Sequence, residues 1–190
     1  MLYLVSACQF LLGTVFAAAA VGKIRDRDAF AAFATVVKGL GLVPRPWARV
    51  TARITVAVEA MVPALLLVAL VPADPVETAS WWLRGCSTVL AIGLLLAFTV
   101  GIVLAVRNGT QASCACFGAR GSVLGMRHII RNTALAVIGG AGLLGHLVVG
   151  QIQGSTAGHV LAAFAGVIVA SVFVLFDDIA ELFVSVRATT

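Results

Sequence analysis

In a chain of 190 residues, 61% are hydrophobic and 11% are charged, with a mean hydropathy of +1.09. That leaves too little polar surface to cover a water-soluble globule, and the fitting solvent is a bilayer. The formal charge of +5, from 13 basic and 8 acidic residues, matters for where it falls rather than for its size.

A hydrocarbon layer of roughly 30 Å is crossed by about 20 apolar residues of helix. That length recurs at residues 2–22, 54–71, 85–106, 132–149 and 158–176. The runs lack two-residue alternation and are about twice as long as the strands of a membrane barrel, so sheet is excluded. No Lys or Arg precedes Lys23. The first run therefore lacks the basic leader of a secretory signal and reads as a retained helix. The expectation is an all-α, five-span bundle forming one domain over 1–190.

Between the first two spans lie Lys23, Arg25, Arg27, Lys38, Arg45, Arg49 and Arg53, and the third connection carries Arg107, Arg120, Arg127 and Arg131. The second connection, 72–84, holds only Arg84, and the fourth, 150–157, holds none. Positive-inside bias then puts the first and third connections in the cytoplasm, the amino terminus outside and the carboxyl terminus inside. The net charge reads as attraction to anionic lipid rather than to nucleic acid.

From Asp28, the residues Phe30, Phe33, Val37 and Leu40 share one helical face. Asp28 is placed to cap the start, and Gly39 and Gly41 to end it. This reads as a short amphipathic helix at the cytoplasmic interface anchored by its rings and Lys38, or as a helix packed on the bundle. Small residues recur at Gly158, Ala162, Gly166 and Ala170, and at Gly139, Gly140, Gly142 and Gly145. Such stripes let helices approach closely, within the bundle or across a homodimer.

Glu59 lies inside the second span, where an ionised carboxylate costs a few kcal/mol unless it is paired or protonated. It reads as a proton-handling or ligand-binding carboxyl, or as a structural acid bonded to hydroxyls such as Thr14 or Thr99. Pro63, four residues on, cannot donate to the Glu59 carbonyl. Cys114 and Cys116, one residue apart in a basic, glycine-rich connection, would close a small strained ring. Strained disulfides are the labile, more oxidising ones, which suits exchange. Met126 and His128 could instead complete a soft Cu(I) site, and inert thiols are a third reading. Cys8 and Cys86 lie at matching depths near the opposite face, close to Trp81 and Trp82. They are either an outward pair of a thiol relay or small buried residues. His146 and His159 flank the fourth connection and could serve that pair as proton carriers or hydrogen-bond at the interface. Asp177, Asp178 and Glu181 read as a solvated tail.

Gly22-Lys23-Ile24 at the end of the first span, the acid in the second, the run Cys114-Ala115-Cys116-Phe117-Gly118, and Arg131-Asn132 before the fourth span occur in this order. The arrangement resembles the methylamine utilisation protein MauE family, relatives of DoxX-like small membrane proteins. The resemblance implies a multi-pass inner-membrane protein assisting maturation of a disulfide-rich periplasmic enzyme, methylamine dehydrogenase, beside a membrane-anchored thioredoxin-like partner. It points to Cys114 and Cys116 as the redox residues, with Phe117 and Gly118 shaping the turn.

The expected function is therefore thiol and disulfide transfer, with the client enzyme subunit and the lipid bilayer as further partners. No resident cofactor is expected, quinone or copper being the alternatives. Two other readings stand beside it: a DoxX-like scaffold or carrier that uses Glu59, and a quinone-coupled thiol oxidase.

Overall fold

The computed structural model describes the backbone of residues 1–69, 77–107, 126–150 and 155–187, and the side chains of this set apart from 77–78 and 176–187. Six helices follow in order: α1 (Leu2–Ile24), α2 (Arg27–Gly39), α3 (Ala48–Val68), α4 (Glu77–Arg107), α5 (Met126–Val149) and α6 (Thr156–Arg187). No strand occurs among the described residues. All but α2 contain a segment long and apolar enough to cross a membrane, so the chain is a multi-pass membrane protein.

Several helices begin before their apolar runs. A 3₁₀ turn at Arg45–Trp47, with a proline in its first positions, launches α3 six residues ahead of the apolar stretch. Arg49 and Arg53 occupy the exposed side of those extra turns. α5 likewise starts at Met126 and carries Arg127 and Arg131 on helix rather than loop. Hydropathy marks the lipid-compatible part of a helix, whereas backbone hydrogen bonding carries the helix out past the headgroups.

The bundle is organised around α1, which packs against every other helix. Of its span, 61% is buried, against 17–28% for the other four. Leu11, Leu12, Val15 and Phe16 of α1 meet Val62 of α3, Leu95 of α4 and Leu135 of α5 in one core layer. Lipid tails are as apolar as these side chains, so the layer holds through dispersion and close fit rather than through removal of surface from water.

The glycine stripes supply that fit. On α6, Gly158 lies under the Tyr3 ring, and a Cβ at Gly166 would stand 2.5 Å from the carbonyl oxygen of Ala7. Ala162 and Ala170 of the same stripe are buried. On α5, a Cβ at Gly139 would meet Ile92 and Leu12, one at Gly142 would meet Cys8, and one at Gly145 would meet Val5; Gly140 faces open space. Gly140 apart, these small residues face α1 inside one chain. Ser155 caps α6 by accepting from the Gly158 amide, and its hydroxyl also bonds Tyr3, which fixes the start of α6 to the start of α1.

α2 settles one of the readings above. Phe33, Ala34 and Val37 are buried against Ala48, Ala52 and Val56 of α3, with Phe30 beside them, so the apolar face is spent on the bundle. Lys38 is exposed. The cap is Asp26 rather than Asp28: its carboxylate accepts from the Ala29 amide at 2.6 Å. That bond holds the Asp26 carboxyl below the usual carboxylate range. α2 ends at Gly39, and Gly41 turns the chain with φ +67°.

Candidate functional site

Lys23 stands one residue from the end of α1, where a lysine would ordinarily extend outward to the headgroups. Here it turns inward. Its Nζ donates to both carboxylate oxygens of Glu59 on α3, at 2.6 and 2.7 Å, and the two side chains are only 2% and 1% exposed. The Phe33 ring of α2 lies 4.9 Å from the ammonium and the Phe98 ring of α4 5.7 Å, so an aromatic sleeve surrounds it. Four helices thus meet at one charged pair. Removing a single partner from such a pair leaves an uncompensated buried charge, which is strongly destabilising.

The hydroxyl partners expected for Glu59 do not serve it. Thr14 and Thr99 each bond a carbonyl one turn back in their own helix, Phe10 and Leu95, at 2.8 and 2.7 Å. Across from Pro63, the Ser87 hydroxyl of α4 donates to the Val62 carbonyl at 2.9 Å, and α3 continues through the proline to Val68.

The ion pair lines a cavity of about 250 Å³ whose wall also includes His128, Arg131 and Asn132 of α5 and Gly101 and Ile102 of α4. Most of the wall is apolar; Lys23 and Glu59 cancel each other, and Arg131 leaves one positive charge over. The chamber can therefore favour an apolar guest with an anionic or electron-rich end. α4 ends five residues beyond Ile102, roughly 8 Å along the axis, and α5 begins two residues before His128. Arg107 and Met126, the described residues on either side of 108–125, thus both lie at the chamber end of the bundle. Cys114, Cys116, Phe117 and Gly118 lie in that connection, outside the described residues. Met126, the other candidate ligand, is 69% exposed, whereas His128 is buried.

At the opposite end, marked by Trp81 and Trp82, the polar groups pair differently. His146 stacks on the Trp81 indole with centroids 4.8 Å apart, and its Nε2 lies 3.2 Å from the Trp81 carbonyl oxygen. His159 Nδ1 lies 2.9 Å from the Ser6 hydroxyl, with the Tyr3 ring edge-on to the imidazole. The two histidines therefore belong to separate pairings. Cys8 and Cys86 are both free thiols: Cys8 is buried where α1 meets Gly142 of α5, and Cys86 is exposed on α4.

A five-span helical bundle with a buried lysine–glutamate pair at one end defines a small polytopic membrane protein, and the residues of that site fall early in the chain. The family model for the methylamine utilisation protein MauE matches residues 1–145, which include Lys23, Glu59 and the cysteine run. The chain belongs to the MauE family. No curated protein and no solved structure matches it. Residues 146–190, which include all of α6, lie beyond the matched part.

What sequence reading missed is the pairing of Lys23, named there only within the Gly22-Lys23-Ile24 run, with Glu59. A signal for it exists: an acid inside a span requires a donor, and Lys23 is the basic residue that directly ends the neighbouring span.

Proposed function

We propose that this protein is a membrane accessory factor that carries out thiol–disulfide exchange during maturation of an exported enzyme subunit, working with a thioredoxin-like partner. The observation that supports the reading is that α4 and α5, the helices on either side of the stretch with Cys114 and Cys116, both contribute to the wall of the chamber close to where that stretch begins and ends in the sequence. Family membership supports the setting, since the matched family is one of methylamine utilisation.

In the proposed step, a thiolate of Cys114 attacks one sulfur of the partner's disulfide, and the other partner sulfur leaves as thiolate. Cys116 then attacks the mixed disulfide, closes the Cys114–Cys116 bond and releases the partner as a dithiol. Two electrons pass to the partner, and a second dithiol reopens the ring. Lys23 is neutralised by Glu59, so the positive charge that favours a thiolate in this reading is that of Arg131 on the chamber wall. In this reading the basic end faces the cytoplasm, an orientation that the arginine distribution supports. Labelling of Cys114 by an impermeant maleimide in intact cells would reverse that orientation.

Changing Cys114 and Cys116 together to Ser is expected to abolish client maturation while the protein still accumulates in the membrane. The buried pair itself favours a second reading, a carrier that uses Glu59. If the double cysteine variant supports maturation and a folded Lys23→Met/Glu59→Leu variant does not, the carrier reading replaces the thiol one.

A further inference from the structure

A second recess lies at the tryptophan end, independent of the thiol chemistry proposed above. α6 packs on α1 and scarcely reaches α3, which leaves a lengthwise groove of about 600 Å³ between α3 and α6, floored by α1. The inward half is smooth and apolar: Gly13 and Ala17 of α1, Pro63 and Leu66 of α3, and Val160 and Ala163 of α6. Its polar groups include Arg84, Ser6, His159 and Gln9.

Two of these are incompletely satisfied. Arg84 donates through Nη2 to the Ala69 carbonyl at 3.0 Å, and no acidic side chain pairs with it among the described residues. Gln9 is only 8% exposed, and its amide nitrogen has no hydrogen-bond partner among the described residues. A buried donor left without an acceptor costs about 1–3 kcal/mol, and an occupant that supplies a carbonyl would remove that penalty. The broad terminal torsion of glutamine lets the amide turn toward the groove.

Ser6 and Ala17 are eleven residues apart, so the groove runs roughly 16 Å along α1. An apolar furrow that ends at a guanidinium with no acidic partner among the described residues matches the amphiphilic form of a lipid, a hydrocarbon chain beside a charged headgroup. We propose that the groove is a binding site for an anionic diacyl phospholipid. Its phosphate sits at Arg84, an ester carbonyl accepts from Gln9, and an acyl chain lies along Gly13 and Ala17. Arg84 is the one cation of its connection, and it is held at the groove by its bond to Ala69 rather than released to the headgroup layer.

The test is retention of added lipid by the delipidated full-length protein in detergent, read by native mass spectrometry and by thermal unfolding. Phosphatidylglycerol is expected to bind about fivefold more tightly than phosphatidylcholine with the same chains, the effect of one basic residue beside an anionic headgroup. Arg84→Gln should erase that preference and Arg84→Lys should keep it. Ala163→Trp, which fills the groove without touching Arg84, should lower the affinity for both lipids. Equal binding of the two lipids, a preference that survives Arg84→Gln, or tighter binding of menaquinone than of phosphatidylglycerol would each overturn the proposal.

Discussion

The two ends of the bundle treat polar groups in opposite ways. At the basic end, full charges are sealed inside: Lys23 and Glu59 saturate each other among aromatic rings, beside a small chamber. At the tryptophan end, imidazoles are satisfied one at a time, His146 by Trp81 and His159 by Ser6, and a wider groove lies open along α1. A sealed ion pair gives its stability only while both partners remain, whereas separate pairings fail independently. The basic end should therefore be brittle and the tryptophan end tolerant.

The largest effect is expected at the ion pair. Glu59→Leu or Lys23→Met alone should cost about 3–5 kcal/mol, and Lys23→Met/Glu59→Leu much less than the sum. Unfolding in mixed micelles checks this, and additive losses would mean that the pair is not coupled. Gly166→Val comes next: its side chain would be driven onto the Ala7 carbonyl, with a loss of about 1–3 kcal/mol and loosening of α6. Gly140→Ala, in open space on α5, should be neutral or slightly stabilising.

At the tolerant end, His146→Ala should cost about 0.5–1.5 kcal/mol through the lost Trp81 stack, together with a change in tryptophan fluorescence, and should leave the thiols untouched. The smallest effect concerns Asp26. Its carboxyl titrates below the unfolded value, so its cap is fully present above that value and is lost as pH falls through the lower, folded one. Amide exchange at the start of α2 should quicken in acid in the native protein, and should be quick at neutral pH in Asp26→Ala.

The spans were legible in the sequence because about 20 apolar residues in a row have few other uses, and the small-residue stripes announced close helix contacts. Helix starts were less legible. Arg49, Arg53 and Arg127 sit on helix that extends past the apolar run, where hydropathy no longer reports structure. Glu59 was legible as a buried acid, but its partner was not. Lys23 lies 36 residues earlier, and its position at a helix end suggests an outward-reaching side chain; only the packing of α1 on α3 turns it inward. Asp26 and Asp28 are both plausible caps by type, and the choice between them rests on which carboxylate meets the Ala29 amide. The groove beside α6 carries no sequence motif, since it arises from a helix that packs on α1 and leaves α3 uncovered.

The account depends most on the cysteine connection and the ion-pair chamber acting as one site. The direct measurement treats the protein, with Cys8 and Cys86 changed to Ser, with oxidised glutathione and follows its mass and free thiols over time. The expected result is a loss of two hydrogens as Cys114 and Cys116 join, full reversal by dithiothreitol, and slower closure when Arg131→Gln is added to a folded protein. Two thiols that stay separate, or closure at the same rate without Arg131, would contradict it.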